Sequence, residues 1–190
     1  VDEQNSTGIT SNSIYAIIED KQNRIWIGTF TVGMMLVSEQ NNSVKFIHTG
    51  NAFKNYPKER FGRVRHMALD KAGNIWIGTT DGLMILDADD SHSPVYTYKT
   101  YRKVSDKTTG MGSSDILFVY PDWKGRVWLA TAGAGLSLAT GKPFEQLNFK
   151  NFTKKDGLPN DYVLSCAGDK QGNIWIATEN VLSRFNPEKN

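Results

Sequence analysis

The sequence predicts an all-β protein made of four β-propeller blades, each a four-stranded antiparallel sheet. Three observations lead to this prediction. One motif with a central Trp recurs four times, at 23–29, 73–79, 125–131 and 172–178. Its tryptophans are separated by 50, 52 and 47 residues, which is the length of one propeller blade. The apolar segments are short, rich in β-branched and aromatic residues and bounded by turn residues, which favours strands over helices.

Each repeat begins with an apolar strand, strand A, and a tight turn. Strand A is predicted at 13–18, 63–68, 115–120 and 162–167. The turn opens with an Asp in every repeat: Asp20, Asp70, Asp122 and Asp169. We interpret it as a hairpin in which the carboxylate accepts hydrogen bonds from the following amides, while Gly or Asn adopts positive φ. A calcium loop needs several oxygen ligands, and only one carboxylate recurs, so no metal or cofactor is predicted.

Strand B carries the repeated tryptophans, Trp26, Trp76, Trp128 and Trp175. Their recurrence at one position predicts packing between blades, with each indole N–H bonded locally. The Thr that closes each Trp segment is predicted to donate a structural hydrogen bond to a neighbouring blade. Strand C follows at 33–37, 82–86, 135–138 and 181–185.

Strand D is predicted at 44–47, 95–98 and 144–149, and it alternates polar and apolar residues as an outer edge strand does. Strands A and B are nearly continuous apolar runs, as expected for sheets covered on both faces. The fourth repeat has no strand D unless residues 1–6 supply one.

Residues 1–190 are therefore predicted to form a single propeller segment. The blades span approximately 9–50, 60–101, 112–152 and 159–190, the last without its outer strand. Four blades can close into a small ring or form an arc of a larger one. We favour the arc.

Composition excludes several function classes. The net charge is only +2, so no nucleic-acid partner is predicted. No apolar run approaches eighteen residues, so no membrane contact is predicted within the segment. The single cysteine, Cys166, cannot form an internal disulfide. We find no nucleophile elbow, phosphate loop or plausible triad and predict that the segment is not an enzyme.

Candidate ligand-binding residues lie where the D-to-A and B-to-C connections meet on one rim of the blades, because loops on one face of a rigid scaffold commonly carry function. The start of strand A contributes Arg63, Asp115 and Tyr162, with Tyr15 and Arg65 slightly further along, and the D-to-A loops contribute Tyr56 and Arg102. Aromatic rings with Arg and Asp suit sugars. Arg63 and Arg65 together favour an anionic ligand such as an acidic oligosaccharide. Trp123, in the third A-to-B turn, is a candidate exposed contact for a partner.

The repeats resemble the two-component regulator propeller repeat. The resemblance rests on Gly-Leu-Pro-Asn-Asp-Tyr-Val-Leu-Ser at 157–165 with Asp-Lys-Gln-Gly-Asn-Ile-Trp-Ile-Ala-Thr at 169–178, and on the segments 11–20 and 70–83. It covers essentially the whole chain. It implies a periplasmic segment of a sensor in a hybrid two-component histidine kinase, which binds an oligosaccharide or a partner domain and relays a signal to the kinase.

Two other functions remain open. The segment could be a structural module that mediates dimerisation, or, more remotely, a propeller lyase. The partners implied are an oligosaccharide, the remaining blades of a parent propeller or a second copy in a homodimer. The fold alone does not decide among these functions.

Overall fold

The computed structural model describes residues 8–40, 42–53, 55–87, 96–103 and 110–188. The chain forms four antiparallel sheets, one for each repeat. The first contains β1 (Ile14–Glu19), β2 (Ile25–Thr29), β3 (Gly33–Gln40) and β4 (Ser43–Ile47). A short helix, α1 (Lys58–Phe61), precedes the second, which contains β5 (Val64–Leu69), β6 (Ile75–Thr79), β7 (Gly82–Leu86) and β8 (Tyr98–Tyr101).

The third sheet contains β9 (Ile116–Pro121), β10 (Val127–Thr131), β11 (Leu136–Lys142) and β12 (Gln146–Phe152). A 3-10 turn at Lys154–Asp156 leads to the fourth, which contains β13 (Val163–Gly168), β14 (Ile174–Thr178) and β15 (Leu182–Phe185). Strands follow one another in chain order within every sheet, and the fourth sheet has three strands. The suggestion that residues 1–6 supply its outer strand lies outside the described residues. No helix in the described ranges is long and apolar enough to cross a membrane.

The outer strand of the second blade differs from its prediction. It was expected at 95–98, of which residue 95 lies outside the described residues, and it is found at Tyr98–Tyr101. The ladder with β7 begins only at the pair Leu86–Tyr98. Tyr96 instead packs its ring on Trp26 and Phe53, with centroids 5.4 and 5.2 Å apart. Burial of this ring between blades therefore takes precedence over strand pairing.

Three hydrophobic cores hold the blades together, one at each junction. We call the face of a blade that meets the next blade along the chain its forward face, and the opposite one its backward face. The forward face presents the Trp of strand B and the strand C residue that pairs with the second residue after that Trp. The backward face of the next blade presents the first and fourth residues of strand A and the Ile or Leu that follows its own Trp. The cores contain Trp26 and Met34 against Val64, Met67 and Ile77; Trp76 and Leu83 against Ile116, Val119 and Leu129; and Trp128 and Leu136 against Val163, Cys166 and Ile176.

The four blades form an open arc, because the end blades expose residues whose counterparts are buried at the junctions. Ile17, on the backward face of the first blade, is 63% exposed, and Leu182, on the forward face of the fourth, is 67% exposed. Their counterparts at the junctions are all buried: Met67, Val119 and Cys166 for Ile17, and Met34, Leu83 and Leu136 for Leu182. Trp175 is 39% exposed, whereas the other three repeated tryptophans are buried.

The A-to-B turn has the same hydrogen bonds in every blade. One oxygen of the Asp accepts from backbone amides of the turn, and the other accepts from the indole N–H of the repeated Trp six residues later. The third residue after the Asp adopts positive φ, as Asn23 in the first blade and as Gly73, Gly125 and Gly172 in the others. The turns therefore fix the tryptophans that build the junctions.

The Thr that ends strand B is bonded differently from the prediction. Its hydroxyl donates to the carbonyl at the start of strand C in its own blade, and not to a neighbouring blade. In Thr29, for example, the hydroxyl donates to the Gly33 carbonyl over 2.9 Å and accepts from the Val32 amide over 3.1 Å. The Thr therefore closes the B-to-C loop of its own blade.

Candidate functional site

The strand A residues nearest the rim are presented by a β-bulge that recurs in all four blades. The first and third residues of strand A pair with consecutive residues of strand B, so the second residue has no partner. These unpaired residues are Tyr15, Arg65, Leu117 and Leu164. A bulge turns the extra side chain away from the regular alternation. Tyr15 and Arg65 therefore lie outside the inter-blade cores.

Four side chains from three blades form a continuous row at this rim, which we call the inner cluster: Tyr15, Phe30, Arg65 and Asp115. The rings of Tyr15 and Phe30 are stacked, with centroids 4.8 Å apart and an interplanar angle of 19°. The guanidinium of Arg65 lies 5.3 Å from the centroid of Phe30. Tyr15 is 52% exposed. The cluster thus offers an open aromatic surface beside fixed polar groups.

Arg65 is held by Asp115 of the next blade through two hydrogen bonds. Its Nε and Nη2 atoms donate to the two carboxylate oxygens over 3.0 and 3.2 Å. This bidentate geometry orients the guanidinium and offsets its charge. Arg65 therefore supports the aromatic pair and is not a free cation, whereas the joint binding of one anion by Arg63 and Arg65 stays a prediction.

Arg63 lies elsewhere on the same rim, at a polar recess of about 420 Å³ between the first and second blades. The recess is lined by both B-to-C loops and the segment around α1, with polar contributions from Thr31, Lys58, Arg60, Arg63, Thr80 and Asp81. We call it the junction recess. Its size is in the range of small-molecule sites.

The other predicted residues are distributed differently. Tyr56 is buried in the first inter-blade core, and its hydroxyl donates to the Phe61 carbonyl over 2.7 Å. Burial raises its pKa far above the usual range of a tyrosine. Arg102 pairs with the Asp81 carboxylate, and its Nε donates to the Asp81 carbonyl over 2.9 Å. Tyr56 and Arg102 therefore stabilise the structure at the rim through contacts within the chain.

Tyr162, at the start of strand A in the fourth blade, is half-buried, and its amide donates to the Asn160 side chain over 2.9 Å. It belongs neither to the inner cluster nor to the junction recess. The structure thus brings Tyr15, Arg65 and Asp115 together and places Arg63 in a separate site.

Phe30 was not among the residues that the sequence singled out. It lies directly after the Trp segment, where the other repeats have Thr80, Ala132 and Glu179. An aromatic residue at a position that is otherwise small or polar was the available signal. Phe30 can be recognised as part of a site only when the structure shows that Tyr15 and Arg65 lie on either side of its ring.

The opposite rim carries one further exposed aromatic residue. Trp123 is 56% exposed in the third A-to-B turn, and the Lys124 ammonium lies 5.3 Å from its ring centroid. It borders a recess of about 360 Å³ together with Tyr120 and Asp169. This recess lies at the other end of the strands from the inner cluster.

Titratable groups in the described residues do not form a metal centre, since no three of His, Cys, Asp and Glu come together there. His66, in β5, stacks on Phe118 with ring centroids 3.8 Å apart, and its Nδ1 accepts from the Val119 amide over 3.3 Å. Burial lowers the pKa of His66, so the ring is a neutral packing element at pH 7.

Three segments of the chain, 8–31, 59–81 and 157–180, match the sequence model of the family described as two-component regulator propeller. A curated relative, histidine kinase P4 of Formosa agariphila, is 27% identical over 175 residues. That match covers 92% of this chain and 12% of the relative. The chain therefore spans only a small part of this kinase.

Solved structures show the same blade architecture. The extracellular domains of two hybrid two-component systems from B. thetaiotaomicron superpose with TM-scores of 0.74 and 0.72 at 20% and 21% identity. These two matches cover 94% and 100% of this chain, and 24% and 23% of the matched domains. Virginiamycin B lyase from Staphylococcus aureus has a TM-score of 0.61 at 13% identity, covering 96% of this chain and 56% of the lyase. Likenesses at these identities show the fold alone.

Proposed function

The chain carries two-component regulator propeller repeats, and from that premise we propose that it is an extracytoplasmic, ligand-sensing segment of a two-component sensor. It binds an oligosaccharide at its rim and has no catalytic role. The proposal places the segment in the periplasm and a histidine kinase elsewhere in the parent protein. The likeness to extracellular domains of hybrid two-component systems supports this placement.

The observation that carries the ligand class is the inner cluster. Tyr15 and Phe30 present a stacked aromatic surface to solvent, with the Arg65–Asp115 pair beside it. The C–H face of a sugar packs on such a ring, while its hydroxyls hydrogen-bond to nearby fixed charged groups. Because the row of side chains crosses three blades, a bound oligosaccharide contacts more than one sheet. Its binding energy then favours one relative orientation of the blades, which is the physical basis we propose for signal relay.

The test is calorimetric titration of the chain with neutral cello-, xylo- and galacto-oligosaccharides of four to six sugars. We expect saturable binding without turnover, and a loss of about five- to tenfold in affinity for Tyr15→Ala, the scale of one aromatic contact. Trp123→Ala is the matched control, because it removes an exposed aromatic ring from the opposite rim. Equal affinities for the Tyr15 variant and the unaltered chain would contradict the assignment.

A structural role is the second candidate, and the uncovered forward face of the fourth blade favours it. Trp175 and Leu182 are exposed where every other blade buries the equivalent residues against its neighbour. We propose that this face docks the backward face of a blade of the same kind, because the three internal junctions show that these two faces are complementary. Concentration-dependent self-association that depends on both faces is the result expected of this role.

A further inference from the structure

The junction recess combines an open cavity with an excess of positive charge. Lys58, Arg60 and Arg63 line it, and among the described residues none of these three side chains is in an ion pair. The recess also contains two carboxylates. Asp81 is already paired with Arg102, which leaves Glu59 as the carboxylate facing three cations. A concave site with an excess of one sign of charge concentrates ligands of the opposite sign.

The backbone around the recess is held in place before any ligand arrives. The Gly33 amide donates to the Gly62 carbonyl over 2.8 Å, and the Thr80 amide donates to the Arg63 carbonyl over 3.2 Å. These two bonds tie the segment after α1 to the B-to-C loops of both blades. A Cβ atom at Gly62 would lie 2.6 Å from the Lys58 carbonyl oxygen, so this close turn requires glycine. Preorganisation of this kind lowers the entropic cost of binding.

Hydroxyl groups complete the polar lining. Thr31, on the first blade's side, lines the recess, and its hydroxyl donates to the Ser11 hydroxyl over 2.7 Å. Thr80 lines the opposite side. A guanidinium such as that of Arg63 recognises planar or tetrahedral oxyanions through parallel N–H donors. The recess therefore offers cationic donors for an anionic group and threonine hydroxyls for hydrogen bonds with the hydroxyls of a sugar ring.

We propose that the junction recess binds an acidic sugar unit, through its carboxylate or sulfate group, with Arg63 as the principal donor and Lys58 and Arg60 as supporting cations. The inference rests on the proposed function, since it assigns the acidic unit to the oligosaccharide that the inner cluster holds. A volume of about 420 Å³ accommodates a sugar unit of this kind.

The experiment compares three probes on the whole chain: an oligogalacturonide, a sulfated galactose disaccharide and the neutral galacto-oligosaccharide. We expect the acidic probes to bind at least tenfold more tightly than the neutral one in 20 mM NaCl, and this preference to shrink at 200 mM NaCl because salt screens the attraction. Arg63→Gln should reduce acidic binding about tenfold or more and leave neutral binding unchanged, since one charge-assisted hydrogen bond is lost.

Lys170→Gln is the matched control, because Lys170 is an exposed cation on the opposite rim. Arg63 is exposed, so its variant should keep the unfolding midpoint of the unaltered chain, which denaturant titration verifies. An unchanged acidic preference in Arg63→Gln would overturn this inference and leave the proposed function intact. Absence of binding to acidic and neutral saccharides alike would overturn both. Inorganic sulfate that binds as tightly as the sulfated disaccharide would overturn the assignment to a sugar.

Discussion

At the scale of single residues, the Asp of each A-to-B turn makes the same contacts in four different surroundings. Its second oxygen accepts from the indole N–H and from one further donor, which is Arg24 or Arg126 in the odd blades and Asn74 or Asn173 in the even blades. The two arginines also lie 5.4 and 5.2 Å from the indole centroids, so they cover the ring as well as pairing the carboxylate. The contribution of the Asp to the free energy of unfolding should therefore depend on how deeply its Trp is buried.

The second and fourth blades provide a matched comparison. Asp70→Ala removes the acceptor of the buried Trp76 indole and of two backbone amides, which should cost about 1–3 kcal/mol of unfolding free energy. Asp169→Ala removes the same set of bonds, but Trp175 is exposed and water can replace the lost acceptor. Urea titration followed by Trp fluorescence should show a smaller loss for Asp169→Ala. Equal losses of unfolding free energy in the two variants would contradict the idea that burial of the Trp strengthens the contribution of its hydrogen bond to the Asp.

The turns should also make the protein sensitive to acid. Burial would raise the pKa of Asp122, but hydrogen bonds from the Trp128 indole and from Arg126 outweigh it and hold the pKa below its usual value; Asp20 behaves in the same way with Trp26 and Arg24. A folded-state pKa below the unfolded one means that the folded chain binds the proton less tightly. The stabilisation is therefore complete above the unfolded pKa of about 3.9 and is lost as the pH falls through the folded value.

We accordingly expect the contribution of Asp122 and Asp20 to the urea midpoint to be steady between about pH 7 and pH 5 and to decline below about pH 4. His66, whose pKa is lowered by burial, adds a separate decline that begins as the pH falls through about 6.5, its unfolded pKa. Asp122→Asn cannot titrate, so its midpoint should start lower at pH 7 and decline less steeply toward pH 3. Midpoints measured at pH 7, 5, 4 and 3 check this for both chains. Parallel curves would show that Asp122 does not contribute to the acid sensitivity.

Much at this scale could be predicted from the sequence, because it depends on neighbours along the chain. The spacing of Asp20 and Trp26 is enough to place the carboxylate beside the indole once the turn is recognised. The contacts of Arg65 could not be predicted, since its partner Asp115 is 50 residues away in another blade. Only the angle between sheets decides which of the rim charges meet.

At the scale of elements, the junctions depend on close approach of strand B to strand A of the next blade. A Cβ atom added at Gly28 would lie 2.6 Å from both the Met67 sulfur and the Val64 Cγ1 atom. The third and fourth blades have Ala130 and Ala177 at this position. The spacing between sheets is thus set junction by junction, by the size of one side chain.

Gly28→Ala should therefore destabilise the protein by about 1–3 kcal/mol, the usual cost of overpacking, with Val64 as the obstacle because it is β-branched and fully buried. Ala177→Val, at the same position of the fourth blade, faces the open end of the arc and should cost little. Urea titrations of the two variants at low protein concentration measure the difference. A larger loss for Ala177→Val would be inconsistent with the open forward face.

The bulge in strand A marks the limit of prediction at this scale. A nearly continuous apolar run indicates where strand A lies, but a one-residue insertion in the ladder changes which side chains face the rim. Tyr15 was a candidate because of its place near the start of the strand, whereas its exposure follows from the missing partner in strand B. The apolar pattern of Ile14–Glu19 is compatible with either register.

At the scale of the whole molecule, the arc has two different ends. The backward face of the first blade exposes Ile17, and the forward face of the fourth exposes Trp175 and Leu182. At the internal junctions these same positions are in contact, as Met67 and Trp26 are in the first core. An interface between such unlike faces is head-to-tail, so it can join several copies in sequence.

The isolated chain should consequently self-associate through its ends, in a concentration-dependent manner that analytical ultracentrifugation detects. Leu182→Lys places a charge on the forward face, and Ile17→Lys places one on the backward face, so each variant alone should remain monomeric. Mixed in equal amounts, the two variants retain one intact face each, and they should form a heterodimer that cannot grow further. Trp123→Lys, which alters an exposed residue outside both faces, should associate as the unaltered chain does. A mixture of the two variants that stays monomeric, while the unaltered chain associates, would show that association uses some other surface than the two ends of the arc.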